Sequence, residues 1–255
     1  MTQPVVSGSR VARGGKAVYG VNLGVLMLDA RFPRIPGDMG NGETWPFPVE
    51  LHIMPNVTPE HVVMGNPLDY LPVAIESARQ MIARGVSAIT TNCGFLALLQ
   101  PELAAALDVP VATSSLMQIP SVQATLPPGK RVGVVTVSAA TLTPAHFRAV
   151  GAPEDTPTCG TENGREFFRV LIKAEKDDLD IDLAEADVVA AARELVAKNP
   201  DVGAIVLECT NMPPYAAAVA AATGLPVYDI YTLVTWFVGG ICPRVFPVPQ
   251  RYLKA

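Results

Sequence analysis

The chain has 255 residues, 49% of them hydrophobic and 17% charged, with a formal net charge of −5. That composition suits a globular chain with a substantial core and excludes a disordered one. The acidic balance gives no electrostatic basis for a nucleic-acid or anionic-membrane partner. The Gly/Ser-rich stretch 1–16, with Arg10, Arg13 and Lys16, lacks an apolar core of signal-peptide length, so a flexible leader and a cytoplasmic location are expected. No apolar run is long enough to span a bilayer.

In chain order, "VNLGVLML" (21–28) predicts a first strand, followed by a loop rich in Pro and Gly to about residue 47. "VELHIM" (49–54) predicts a second strand. "LPVAIESARQMIARG" (71–85) carries apolar residues at helical spacing and ends on a glycine suited to a C-cap. "VSAITTN" (86–92) is a buried strand that delivers Cys93 at its carboxyl end, and "PELAAAL" is a short helix leading to the strand "VPVAT". The order then repeats. "RVGVVTVS" (131–138) is a strand, "EFFRVLI" (166–172) is strand or helix, and "LAEADVVAAARELVAK" (183–198) is an amphipathic helix. "VGAIVLE" (202–208) delivers Cys209, "PPYAAAVAAATG" is the next helix, and "YTLVTWFVGGI" is a C-terminal helix packing back on the body.

The repetition has a fixed offset. Cys93 and Cys209, Ala88 and Ala204, and Pro110 and Pro226 are each 116 residues apart. Alternating strands and helices give an α/β fold with two α/β lobes related by a pseudo-twofold axis, each around a mainly parallel sheet. The expected division is 17–115 for the first lobe, completed by 228–255, and 116–227 for the second. Ligands of open α/β sheets bind beyond the carboxyl ends of strands. An interlobe cleft with one cysteine on each wall is therefore the expected active site.

Four cysteines, at 93, 159, 209 and 242, form no C-x-x-C pair. Cys159 and Cys242 have no counterpart at the repeat offset and read as buried filler. Cys93 and Cys209 sit at strand-to-helix junctions, where unpaired N–H groups favour a thiolate. Two thiols on opposite faces of one carbon suit a racemase: a thiolate removes the α-proton and the opposite thiol returns one. The amides of Gly94, Phe95, Thr210 and Asn211 are placed to receive a carboxylate or enolate oxygen. No metal or other cofactor is required. His52, His61 and His146 do not cluster at ligand spacing, and His146 reads as a residue on a helix surface.

"LECTNMP" (207–213) resembles the second-cysteine motif of the cofactor-independent aspartate/glutamate racemase superfamily, in which Cys-Thr-x-x-Pro recurs. The resemblance covers residues 20 to 245 or so. It implies a two-lobed fold and proton chemistry α to a carboxylate or carbonyl, with Cys93 and Cys209 as the acid–base pair and a homodimer or higher homo-oligomer as the assembly. Amino-acid racemases of the superfamily follow the first cysteine with Asn-Thr, whereas this chain has Cys93-Gly94-Phe95. "NCGFLALLQ" with "GVLMLDARFPRIPGDMGN" (24–41) is similar to the algal dimethylsulfoniopropionate lyases of the same superfamily, where α-proton removal precedes loss of a β-leaving group.

A racemase or isomerase acting on a small carboxylate-bearing substrate is thus the leading expectation. The lyase on the same scaffold is the alternative, and a non-catalytic small-ligand-binding protein stands third. Supporting residues are Asn92, Gly94, Phe95, Thr210 and Asn211 around the cysteines. Arg31 or Arg34 can clamp the carboxylate from the loop after the first strand, or pair with an aspartate to pin that loop, and Ser138 and Thr141 supply hydroxyls from the matching place in the second half, where a hydroxyl is more often a helix N-cap. Tyr228 and Tyr231 can wall the cleft or pack in the core. The acidic run 175–187 reads as a solvated helix entry.

Overall fold

A computed structural model describes residues 11–12 and 14–253. Most of the leader, including Arg10 and Arg13, lies outside the described residues; Lys16 lies within them and its ammonium group donates to the Gly85 carbonyl. In the first half, β1 (Leu23–Met27), β2 (Val49–Ile53), β3 (Ala88–Thr91) and β4 (Val111–Ala112) form a parallel sheet of order β2-β1-β3-β4. In the second, β5 (Arg131–Thr136), β6 (Thr158–Gly160), β7 (Val202–Leu207) and β8 (Val227–Tyr228) form a parallel sheet of order β6-β5-β7-β8. The two orders are the same once the strands are matched. Every residue of β1 and β3 is buried, as are all but one of β7, which is why these strands read as continuous apolar or hydroxyl runs without alternation.

The helices are α1 (Pro59–Val63), α2 (Leu71–Arg84), α3 (Gln100–Ala106), α4 (Ile119–Gln123), α5 (Pro144–Ala149), α6 (Phe167–Leu171), α7 (Ile181–Lys198), α8 (Ala216–Thr223) and α9 (Ile230–Ile241). On α2 the buried residues Ala74, Ser77, Ala78 and Met81 follow helical spacing, and Gly85 ends it with a φ of 129°, which a β-carbon would oppose. The ambiguous stretch 166–172 is helical because the buried Asp187 carboxylate of α7 accepts the N–H groups of Arg165, Glu166 and Phe167 and so caps α6. That contact corrects the reading of 175–187 as wholly solvated: its last carboxylate is interior. His146 is likewise interior. Its Nδ1 accepts the Thr143 N–H, closing a capping box at the start of α5, and Phe95 packs edge-on against its ring.

One apolar cluster runs from Leu26, Met81 and Ile89 of the first half through Phe95 to Val134, Ile205 and Leu207 of the second. A smaller cluster seats Ile230, Leu233, Val234 and Val238 of α9 against Leu23, Val25 and Ala88 of the first sheet. Each such burial contributes about 1.5–3 kcal/mol. Asp229 starts α9 with a reciprocal cap to Thr232. Tyr231 stacks on Trp45, and Tyr228 lines an outer groove with Trp236, so neither tyrosine walls the cavity between the cysteines. Among the described residues no helix is long and apolar enough to cross a membrane.

Candidate active site

The 116-residue repeat is visible atom by atom around the two cysteines. Ile89 N–H donates to the Pro110 carbonyl at 3.0 Å, and Ile205 N–H to the Pro226 carbonyl at 2.9 Å. The residue before each cysteine pairs with the neighbouring strand in the same way: Asn92 N–H donates to Leu26 and Glu208 N–H to Val135. Their side chains also match. Asn92 Oδ1 accepts the Leu28 N–H at 2.7 Å, and the amide of Val137, the residue equivalent to Leu28, favours the charged form of the Glu208 carboxyl. After each cysteine the chain turns into a helical segment, over Gly94–Leu99 and Pro213–Tyr215.

These matched junctions bring Cys93 and Cys209 into one cavity of about 20 Å³, lined also by Leu28, Phe32, Arg34, Asn92, Phe95, Val137 and Glu208. Both cysteines are buried and neither is in a disulfide. Such a volume holds about one water molecule. The apolar wall of Phe32, Pro59, Leu171 and Ile172 separates it from a cavity of about 320 Å³ lined also by Asp29, Arg31, Glu60 and Lys176.

Burial and the adjacent charge of Glu208 push the Cys93 thiol up to about 12, against the amides of Phe95 and Leu96 and the Arg34 guanidinium, which pull it down. Cys209 is raised well above the ordinary thiol range by burial and by Glu208, with Cys93 and Asp38 adding to the rise and the Asn211 amide opposing it. The amides of Phe95 and Asn211 occupy equivalent positions, two residues after each cysteine. Both favour the ionised form of the cysteine that precedes them.

The two junctions are tied to each other and to the loop after β1. Thr210 Oγ1 donates to the Asn92 carbonyl, and Ser115 Oγ to the Leu207 carbonyl at 2.7 Å. The Cys209 thiol donates to Asn211 Oδ1 at 3.4 Å, and Asn211 Nδ2 donates to Asp38. Asp38 is buried and also holds Arg34 at 2.9 Å, whose guanidinium lies over the Phe32 ring.

Of the residues named from sequence, Asn92, Cys93, Gly94, Phe95, Cys209, Thr210 and Asn211 line the cavity together. Arg31 does not. After β1 the chain bends at Phe32, and Asp29, Arg31 and Pro33 are exposed while Ala30, Phe32 and Arg34 are half-buried; Arg34, not Arg31, lines the cavity at the thiols. Ser138 and Thr141 do not line the cavity either. The chain bends at Val137, which takes the wall position, and the following residues enter the turn before α5, which Thr143 caps.

Sequence reasoning missed Glu208. It is fully buried, its Oε2 accepts the Thr136 hydroxyl at 2.7 Å, and its Oε1 has no hydrogen-bond partner. Burial pushes its carboxyl up to about 7, with the Thr136 hydroxyl and the Val137 amide partly opposing the rise. A β-carbon at position 94 would lie 2.0 Å from Glu208 Oε1 and 2.4 Å from its carbonyl oxygen, so Gly94 is the residue that leaves room for this carboxylate. The signal was present as an acidic residue at the end of an otherwise apolar strand. Among the described residues no three His, Cys, Asp or Glu side chains converge as metal ligands.

The Asp/Glu/Hydantoin racemase family model matches residues 72–238. A dimethylsulfoniopropionate lyase of Durusdinium sp. clade D is 31% identical over 227 residues, covering 86% of this chain and 74% of that protein. The fold is similar to a glutamate racemase of Bacillus anthracis, with a TM-score of 0.58 and 14% identity over 87% of this chain and 81% of that one. It is also similar to an allantoin racemase of Pseudomonas fluorescens, with a TM-score of 0.54 and 16% identity over 89% and 99%. The matched segment contains both cysteine junctions and the repeat that relates them, and the chain belongs to the Asp/Glu/hydantoin racemase family.

Proposed function

We propose that this protein is a cofactor-independent lyase that removes the proton α to the carboxylate of a small substrate and expels a β-leaving group, with dimethylsulfoniopropionate as the substrate. The observation that carries the reaction type is the convergence of two thiols, from equivalent strand ends, on one cavity. The similarity to the Durusdinium lyase supports elimination as the outcome.

The surroundings of the two thiols support different roles. Cys209 donates to an amide oxygen and has Glu208, Cys93 and Asp38 all favouring its protonated form, so it remains a thiol. Burial and Glu208 raise Cys93 as well, but two amides and the Arg34 guanidinium oppose that rise, so it is the base. Arg34 holds the substrate carboxylate, fixing the α-carbon beside Cys93. The Cys93 thiolate takes the α-proton, the electron pair forms the Cα–Cβ double bond, and the Cβ–S bond breaks to release dimethyl sulfide and acrylate. The apolar wall excludes water and strengthens each charge interaction inside.

Racemisation is a second reading, favoured by the equivalence of the two junctions, in which Cys209 returns a proton to the opposite face. Proton NMR in D₂O of the pure protein with dimethylsulfoniopropionate, and separately with both enantiomers of aspartate and glutamate, tests the two. Acrylate and dimethyl sulfide are expected. Growth of an α-deuterated opposite enantiomer without acrylate would replace the lyase by the racemase. Silence throughout would contradict both for these substrates.

A further inference from the structure

Glu208 carries one oxygen more than the fold uses. At the equivalent place in the first half an asparagine suffices: its single side-chain oxygen accepts the Leu28 amide, and nothing else is asked of it. Glu208 accepts a hydroxyl from Thr136 on Oε2 and still leaves Oε1 without a partner in a fully buried position. A buried carboxylate oxygen without a partner is costly. Space is also set aside for it, because any side chain at position 94 would collide with this oxygen. Both Gly94 and Glu208 line the thiol cavity, on whose rim Arg34 provides a guanidinium. The cavity therefore presents one cation and one carboxylate, the charge pattern that complements a zwitterion.

We infer that Glu208 is a cation subsite that binds the positively charged group of a zwitterionic substrate, a sulfonium or ammonium lying one or two carbons from the carbon that loses its proton. This rests on the reading of the thiol cavity as the substrate site. A cation there neutralises the charge that raises both thiols, so binding of the correct substrate eases ionisation of Cys93; a neutral analogue leaves that charge in place. The charged and titratable groups around Glu208 are Cys93 across Gly94, Cys209 beside it, and Arg34 and Asp38 from the loop after β1. Because burial holds the Glu208 carboxyl near neutrality, a bound cation also expels a proton from it at pH 7.

The test is isothermal titration calorimetry of the full chain with two probes that carry no good leaving group. One is 3-(dimethylamino)propanoate, a zwitterion with a cationic amine, and the other is 4-methylpentanoate, its isostere with a neutral isopropyl group in place of the ammonium. The wild type is expected to bind the cationic probe about tenfold or more tightly than the neutral one. Glu208→Gln is expected to bring that ratio close to one. In the wild type at pH 7, binding of the cationic probe should release protons, read as a heat that varies with buffer ionisation enthalpy. This second measurement needs no variant. An unchanged ratio in Glu208→Gln, equal or better binding of the neutral probe to the wild type, no binding of either probe, or no proton release would each overturn the subsite. The ammonium and sulfonium forms are separated by competing each against the probe. Failure to form acrylate with the cation preference intact contradicts the lyase and leaves the subsite standing; acrylate formation without that preference contradicts the subsite alone.

Discussion

The two cysteine junctions share a backbone and differ in charge. Each has a strand, a polar side chain before the cysteine that engages an amide from beyond the neighbouring strand, and an amide two residues later acting on the sulfur. Around that common frame the first junction is Asn92-Cys93-Gly94-Phe95, with no ionisable side chain except the thiol. The second is Glu208-Cys209-Thr210-Asn211, which holds a buried carboxylate and links through Asn211 to Asp38 and Arg34. The lesson is that duplication supplies geometry, placing two thiols at one cavity, while substitutions within the duplicated frame give the two thiols different charged surroundings.

Outside the thiols, the largest expected effect comes from closing the space that the first junction leaves for the second. Gly94→Ala puts a β-carbon against the Glu208 side chain and its carbonyl oxygen, and the backbone atom cannot swing away. A loss of about 3 kcal/mol is expected by urea denaturation. If stability is unchanged, Glu208 does not occupy the space above residue 94.

A comparable effect appears in the pH dependence of stability. Glu208 has a raised carboxyl, so its contribution is fully present below about 4.5 and is lost as pH rises through about 7. Burial lowers His146 to about 4, so its contribution is present above about 6.5 and is lost as pH falls through about 4. Between about pH 4.5 and 6.5 the two slopes oppose one another. Glu208→Gln should leave a protein that gains stability across that window, and His146→Gln one that loses it, each by up to about 3 kcal/mol. Denaturation midpoints at the two ends of the window check the signs; parallel slopes in both variants would refute the assignment.

Smaller effects sharpen the comparison. Asn211→Ala removes the acceptor of the Cys209 thiol and a donor to Asp38, and should lower turnover about tenfold in steady-state kinetics. Thr210→Val removes the hydroxyl that ties the second junction to the Asn92 carbonyl, and should cost about 1 kcal/mol of stability. A larger loss of turnover in Thr210→Val than in Asn211→Ala would mean that the tie between the junctions, not the polar link to Asp38, sets the reactive geometry.

The duplicated fold was legible because its strands are buried on both faces and its repeat offset survives in the apolar runs and the Pro-Val pairs. The cysteines were legible for the same reason. Residues placed by loops were harder to read. Arg31 and Arg34 have the same chemistry, and only the alternation of exposed and half-buried residues after β1 decides between them. Ser138 and Thr141 followed the pseudo-symmetry in sequence, but the bend at Val137 takes them out of the cavity. Glu208 and Asp187 are acids whose partners are backbone amides and hydroxyls distant in sequence, and no local pattern announces that such a carboxylate is interior.

Side-by-side turnover of dimethylsulfoniopropionate by Cys93→Ala and Cys209→Ala, followed as acrylate formation by proton NMR, tests the asymmetry of the two junctions most directly. Cys93→Ala is expected to lose about 10²–10⁴-fold in turnover, the span of a general base, while Cys209→Ala keeps measurable elimination at a reduced rate. Equal losses in the two variants, or full turnover in Cys93→Ala, would contradict the assignment of base and acid.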